Sequence, residues 1–134
     1  MLSKKAQYAI KALSHLARKF GQGPVLIGAI AEKEHIPLKF LETILLELKK
    51  AQILDSKKGK GGGYFLANPP NQTTLAKVLR IVDGPIALLP CVSLNFYIKC
   101  DDCDESNCKV NHVFAEVRDA VLGVLETRTL LDIS

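Results

Sequence analysis

The segment that most constrains the fold of this chain runs from Ile36 to Leu66. Four leucines recur in its first half at helical spacing: Leu38, Leu41, Leu45 and Leu48. This spacing predicts an amphipathic helix over Pro37–Ala51. Two short strands are predicted after it, Ile53–Asp55 and Tyr64–Ala67, joined by a turn rich in lysine and glycine. A helix followed by a basic hairpin is typical of a winged helix, in which the helix enters the major groove of DNA and the hairpin lies along phosphates.

The same segment also allows a plainer interpretation. The turn over Ser56–Gly63 could be an ordinary solvated connection whose glycines adopt positive φ angles, and the helix could be an ordinary surface helix. The distribution of charge favours DNA binding. Residues 1–66 contain 12 Lys and Arg against 5 Asp and Glu, whereas residues 67–134 contain 6 against 9. The basic half is therefore the half with the pattern of a DNA-binding domain.

Two further helices are predicted before this segment. Ser3 is a suitable cap for a helix that ends near Phe20, and its apolar stripe would comprise Ala6, Ile10, Leu13, Ala17 and Phe20. A second helix is predicted over about Leu26–Glu34, and a tight turn at His35 and Ile36 leads to the Pro37 helix. Two short helices joined by such a turn form a helix-turn-helix. We therefore assign residues 1–84 to a winged helix-turn-helix domain.

Two groups of residues in this domain, all but one of them lysines, are candidates for contacts with DNA phosphates. The wing candidates are Lys57, Lys58, Lys60 and Gly61. Lys4 and Lys5 lie in the first turn of the first helix, where positive charge is unfavourable for the helix dipole. They could serve a phosphate or simply be solvated.

The C-terminal part, residues 85–134, is predicted to be a long irregular connection followed by a long helix. A helix capped by Thr73 or Thr74 is predicted to extend through Asp83. The irregular connection then spans Ile86 to Ser106. The last helix extends from about Asn107 to Thr127. Its apolar positions step by four and three, as in a coiled coil: Val110, Phe114, Val117, Val121 and Val124. Packing on the chain's own core is one explanation. We favour a dimer helix, because a helix-turn-helix that binds a palindromic operator needs a symmetric partner.

All four cysteines fall in one loop, with the pattern Cys91-x8-Cys100-x2-Cys103-x4-Cys108, and His112 follows. Clustered thiolates are the ligands of iron–sulfur clusters and of zinc, and this group predicts an iron–sulfur cluster. Zinc, thiol switching and no metal at all remain alternatives.

No apolar run reaches the roughly 18 residues that a membrane span needs, and the N-terminus lacks the apolar core of a signal peptide, so we expect a cytoplasmic protein. No nucleophile–base pair stands out, so an enzyme is not expected.

In sequence, the chain resembles the Rrf-type winged helix-turn-helix regulators, the family of IscR, NsrR and CymR. The resemblance covers nearly the whole chain. It is carried by AQYAIKALSHLA in the first helix, IPLKFLETILLELKKAQIL in the third, GKGGGYFLA in the wing, IVDGPI after it, the cysteine loop and FAEVRDAVLGVL at the end. It implies a mostly α-helical homodimer that represses or activates transcription from double-stranded DNA. A helical adaptor that dimerises without binding DNA is the alternative.

The resemblance also implies roles for single residues. Base-contacting positions of the third helix match Lys39, Glu42 and Thr43, and an arginine of the wing matches Lys58. Lysine lacks the bidentate fork of arginine, which changes any base contact there. IscR-like members hold their cluster with three cysteines and a histidine at the position of Asn111 in this chain. The implied site is therefore a self-contained one, formed by Cys91, Cys100, Cys103 and Cys108, with His112 as an alternate ligand.

Overall fold

The computed structural model of the chain describes residues 2–101, 104 and 106–134. Within these residues the fold is mostly helical, with one two-stranded antiparallel sheet. The elements are α1 Lys4–Arg18, α2 Ile27–Glu34, α3 Leu38–Lys50, β1 Leu54–Lys57, β2 Gly63–Leu66, α4 Leu75–Val82 and α5 Lys109–Leu125. Short 3-10 helices occur at Pro70–Gln72, Pro90–Val92 and Leu130–Ile133. The predicted winged helix-turn-helix with a long C-terminal helix is confirmed.

The first three helices surround one apolar core. Ser3 caps α1, because its Oγ accepts a hydrogen bond from the main-chain N of Ala6 at 3.0 Å. His35 ends α2 with a left-handed φ of 55°, and this turn directs the chain into α3. Leucines and isoleucines from all three helices are fully buried: Leu13, Leu16, Ile30, Leu41, Ile44, Leu45 and Leu48. The core therefore lies on the faces that the apolar spacing predicts.

The wing hairpin is joined to the connection between α1 and α2. Its strands pair from Leu54 opposite Leu66 to Lys57 opposite Gly63. Val25 and Tyr64 exchange two main-chain hydrogen bonds of 2.8 Å, which form an isolated β-bridge beside the hairpin. A Cβ atom on Gly63 would lie 2.2 Å from the Val25 carbonyl oxygen, so only glycine allows this approach. The predicted strand Ile53–Asp55 starts and ends too early, because pairing continues to Lys57.

Two residues assigned to the apolar stripes are in fact exposed. Phe20, which we placed on the buried face of α1, is 43% exposed because α1 ends at Arg18 and Gly21 follows with a φ of +81°. Leu38 is 46% exposed, since the first turn of α3 extends beyond the core that buries Leu41. Both predictions were wrong for the same reason: a periodic pattern does not show where the neighbouring helices stop.

The C-terminal segments return to the first helices. Thr74 caps α4 by accepting from the Lys77 main-chain N at 3.2 Å, as predicted. Leu130 is fully buried, and its main-chain N donates to the Thr73 carbonyl at 3.1 Å. Ser14 of α1 donates from its hydroxyl to the Ile133 carbonyl at 2.6 Å. No helix among the described residues is both long and apolar enough to cross a membrane.

Candidate nucleic-acid interface and cysteine loop

The outer face of α3 carries the three predicted base-contacting residues. Lys39, Glu42 and Thr43 are all exposed, and Lys39 and Thr43 lie on the side of the helix away from Leu41 and Leu45. The Thr43 hydroxyl donates to the Lys39 carbonyl of its own helix at 3.3 Å, which favours one side-chain rotamer. A row of cationic, anionic and hydroxyl groups on one exposed face can contact both phosphates and base edges.

The basic tip of the wing continues from β1, which is bonded to the last turn of α3. The exposed residues of the tip are Lys57, Lys58, Lys60 and Gly61. Lys49, in the last turn of α3, donates from Nζ to the Ser56 hydroxyl of β1 at 2.6 Å. Gly62 is buried in the tip, and a Cβ there would lie 2.1 Å from the Lys57 carbonyl oxygen. The tip is therefore closely packed at Gly62, and the strand that leads into it is joined to α3 by a side-chain hydrogen bond.

The two lysines of the first turn of α1 have different surroundings. Lys4 is exposed, and its Nζ lies 5.2 Å above the ring of Tyr8, which in turn meets Phe40 of α3 edge-on at 5.5 Å. Lys5 instead forms an ion pair with Glu47 of α3, with 2.6 Å between Nζ and Oε2. A phosphate contact by Lys5 would compete with Glu47. The sequence reasoning missed Tyr8 and Phe40, because two aromatic residues so far apart in the chain give no local signal of contact.

Three of the four cysteines line one open cavity of about 510 Å³. They are Cys91, Cys100 and Cys108, and all three are free thiols. Cys103, the fourth predicted ligand, lies outside the described residues. Lys99, Asp101 and Asn111 also line the cavity, which is formed by the irregular loop on one side and the start of α5 on the other. The loop thus brings together cysteines that are far apart in sequence.

Asn111 contacts two of these thiols. Its main-chain N donates to Cys108 Sγ at 3.3 Å, so Cys108 is the N-cap of α5. Its side-chain amide donates to Cys91 Sγ at 3.4 Å. Arg118, two turns further along α5, donates to the Val92 carbonyl at 2.8 Å. The turn that carries Cys91 is therefore held to α5 at two points.

The described part of the loop does not form a finished metal site. Among the described residues, no three His, Cys, Asp or Glu side chains lie close enough together to hold a metal ion. His112 is exposed, one residue beyond the Asn111 amide that contacts Cys91. Hydrogen bonds from the Ser106 and Asn107 side chains stabilise the Asp104 carboxylate and hold its pKa below the ordinary value, so this negative charge stays in the cysteine loop. Thiols are the kind of ligand that iron and zinc bind, but the distances between the described thiols do not fit a metal site.

The predicted dimer seam on α5 is largely exposed. Leu122 is the single buried residue of α5. Four of the five seam residues, all of them valines, are exposed: Val110, Val117, Val121 and Val124. Phe114 is half-buried. A further cavity of about 290 Å³, lined by Leu79, Leu88, Val117 and Val121, opens between α4 and this seam.

Comparison with known proteins identifies close likenesses along the full chain. The sequence profile of the Rrf2 family, described as an iron-dependent transcriptional regulator, matches residues 2–134. The rrf2-like HTH-type transcriptional regulator of Rhodobacter capsulatus is 42% identical over 136 residues, covering 98% of this chain and 91% of the relative. The structure of CymR, the global cysteine regulator of B. subtilis, superposes with a TM-score of 0.83 at 28% identity, over 99% of this chain and 95% of that one. The structure of T. potens IscR gives 0.79 at 28% identity, over 99% and 85%.

Proposed function

This chain belongs to the Rrf2 family of transcriptional regulators, and on that premise we propose that it binds a palindromic operator as a homodimer under control of its cysteine loop. The family and the matched relatives are transcriptional regulators, not enzymes. Since the chain's target is chromosomal DNA, its place of action is the cytoplasm. The observation that carries the proposal is the joint exposure of the α3 face and the lysines of the wing on one winged helix.

DNA recognition in this proposal divides between the two elements. Lys39, Glu42 and Thr43 enter the major groove, where a carboxylate accepts from cytosine N4 and a threonine meets a base edge or a thymine methyl. The wing lysines and Lys4 lie along phosphates and supply affinity without sequence preference. The hydrogen bond between Lys49 and Ser56 supports this division, since it holds the wing at one distance from α3.

Dimerisation through α5 is supported by its uncovered apolar seam. An operator made of two half-sites requires two copies of α3 at a set spacing. Val117 and Val121 are 37% and 41% exposed, and burying them against a second copy removes apolar surface from water. The adaptor alternative uses the same seam but has no need of the basic wing.

Control by the cysteine loop is the finer part of the proposal. The iron dependence in the family's description and the thiols around one cavity support an iron–sulfur cluster held by Cys91, Cys100, Cys103 and Cys108, with His112 as an alternate ligand. Such a cluster supplies one-electron redox chemistry and sensitivity to oxidants. The chain's own residues transmit its state: Asn111 and Arg118 connect the Cys91 turn to α5, and α5 sets the spacing of the two copies of α3.

A cluster-free version of this control is favoured by a different observation. The three described cysteines are free thiols, and among the described side chains no three donors have the spacing of a metal site. Reversible oxidation of the free thiols would then take the cluster's place, with zinc as the alternative if metal analysis finds it. Both versions act through the same loop and the same contacts to α5.

Two measurements on the unmodified protein test the proposal. Selection of duplex DNA from a random pool, followed by affinity measurements at several salt concentrations, should yield a palindrome and a steep fall of affinity with salt. No selected site and a flat salt response would favour the adaptor. Iron and sulfide analysis of protein purified without oxygen should give a coloured sample with both elements. Stoichiometric zinc, or neither metal nor sulfide, would replace the cluster by zinc or by thiol switching.

A further inference from the structure

Leu46 is an exposed leucine on the face of α3 that points away from the core. At about 100° per residue, Leu46 lies roughly 150° from the mean direction of the buried residues Leu41, Ile44, Leu45 and Leu48. It shares this outward direction with Lys39, Thr43 and Lys50. Leu46 is 48% exposed, whereas its neighbour Leu45 is fully buried. A single apolar side chain therefore stands among polar and charged ones on the proposed DNA-contacting face.

The position of Leu46 relative to the other proposed contacts is set by helix geometry. It follows Glu42 by four residues and Thr43 by three, so the three side chains form one continuous surface patch. The four-residue step advances about 6 Å along the helix axis, which corresponds to one or two base-pair steps of about 3.4 Å each. A helix that brings Glu42 and Thr43 to base edges therefore brings Leu46 to the adjoining base pairs.

The wing is joined to α3 close to Leu46. Lys49, three residues beyond Leu46, donates a hydrogen bond from Nζ to the Ser56 hydroxyl of β1 at 2.6 Å. The exposed charged residues on this face of α3 are Lys39, Lys50 and the single carboxylate Glu42, and the wing adds Lys57, Lys58 and Lys60. Their net positive charge favours an anionic partner such as DNA over an apolar protein surface.

The edges of base pairs in the major groove offer an apolar group at one kind of base only, because thymine carries a C5 methyl and the other natural edges present donors and acceptors. We propose that Leu46 contacts a thymine methyl in each half-site and so determines part of the operator sequence. The inference rests on the proposed DNA-binding function and adds a specificity residue to it. It predicts a thymine one or two base pairs from the position that Glu42 and Thr43 read.

The test uses deoxyuridine, which differs from thymidine by this methyl alone. After an operator is selected with the unmodified protein, each thymine is replaced singly by deoxyuridine and the affinity is measured. At one symmetry-related pair of positions, replacement of thymine by deoxyuridine should lower the affinity of the protein for the duplex about threefold to tenfold, as expected for burial of one methyl group. Leu46→Ala should bind the thymine and deoxyuridine duplexes equally, while Leu46→Met, which keeps an apolar side chain, should retain the preference.

Leu131→Ala is the matched control, because Leu131 is 57% exposed and lies in the C-terminal 3-10 helix, away from α3. This control should keep the full methyl dependence. If no thymine position depends on its methyl, or if Leu46→Ala keeps the same dependence, the inference is overturned while DNA binding stands. If no operator can be selected at all, the proposed function falls together with it.

Discussion

Asn111 of α5 donates a side-chain hydrogen bond to Sγ of Cys91, which precedes it by 20 residues. The same residue donates its main-chain N–H to Sγ of Cys108 at 3.3 Å. Asn111 therefore connects both ends of the cysteine loop at the first turn of the helix that we propose as the dimer helix. Any ligand or oxidation that moves Cys91 or Cys108 must break or rearrange contacts of this one residue.

Removing the Asn111 amide should loosen the turn that carries Cys91. In Asn111→Ala we expect amide hydrogen exchange at Val92 and Ser93 to speed up by about twofold to tenfold, since one hydrogen bond contributes about 0.5–1.5 kcal/mol. Asn107→Ala is the control, because the Asn107 amide donates to Asp104 and not to a thiol. Unchanged exchange in Asn111→Ala would mean that Arg118 alone holds this turn through the Val92 carbonyl.

The wing lysines should contribute affinity that is independent of DNA sequence. Replacing Lys57, Lys58 and Lys60 together by alanine should weaken binding to all duplexes and reduce the salt slope by about three, near one unit for each phosphate contact. The measurement is a titration at several salt concentrations on specific and random duplexes. Lys19→Ala, which removes an exposed lysine at the end of α1, should leave the slope unchanged. An unaltered slope in the triple variant would remove the wing from the interface.

Substitution of Glu42 or Thr43 should change the preferred site and leave the salt slope alone. Each lost base contact should cost about 1–3 kcal/mol at the affected base pair. Selection of sites with Glu42→Ala and Thr43→Ala proteins, compared with the unmodified protein, measures this effect. Recovery of one identical site by all three proteins would show that this face of α3 does not read bases.

A buried charge in the α5 seam should separate the subunits. Val117→Glu places a carboxylate where a second copy would cover it, and an unpaired buried charge is costly. Sedimentation should show monomers, and affinity for the palindrome should be lost. Gly123→Glu is the control, since a side chain at Gly123 meets no atom within 4 Å and this position faces away from the seam. A stable Val117→Glu dimer would assign the seam to another role.

The cysteines and His112 should be unequal in their effect on bound iron or zinc. Cys91→Ala, Cys103→Ala and Cys108→Ala should each abolish or destabilise a cluster held by four thiolates, whereas His112→Ala should matter less. Metal and sulfide content per chain, measured together with absorbance, distinguishes these outcomes. Loss of metal in His112→Ala equal to that in Cys108→Ala would make the histidine a primary ligand.

We expect loaded and unloaded protein to differ by about 1–3 kcal/mol in operator affinity, the usual size of such coupling.

Local sequence patterns were sufficient to predict most of the elements. Leu41, Leu45 and Leu48 recur at the helical period and are all fully buried, and Thr74 caps α4 as its position before an apolar stripe predicts. These features depend on residues within one or two turns of each other, where the backbone period alone sets which side chains share a face. The same reasoning failed for Phe20 and Leu38, whose burial depends on where neighbouring helices end.

The contacts between distant segments were decided by the tertiary structure alone. The pairing of Val25 with Tyr64, the ion pair of Lys5 with Glu47 and the hydrogen bond from Asn111 to Cys91 each join residues without any periodic relation. The cysteine spacing showed that thiols would be concentrated in one loop, but an irregular loop has no period from which their distances follow. Which thiols line the same cavity, and which helix lies beside it, depends on how α5 packs against the rest of the chain.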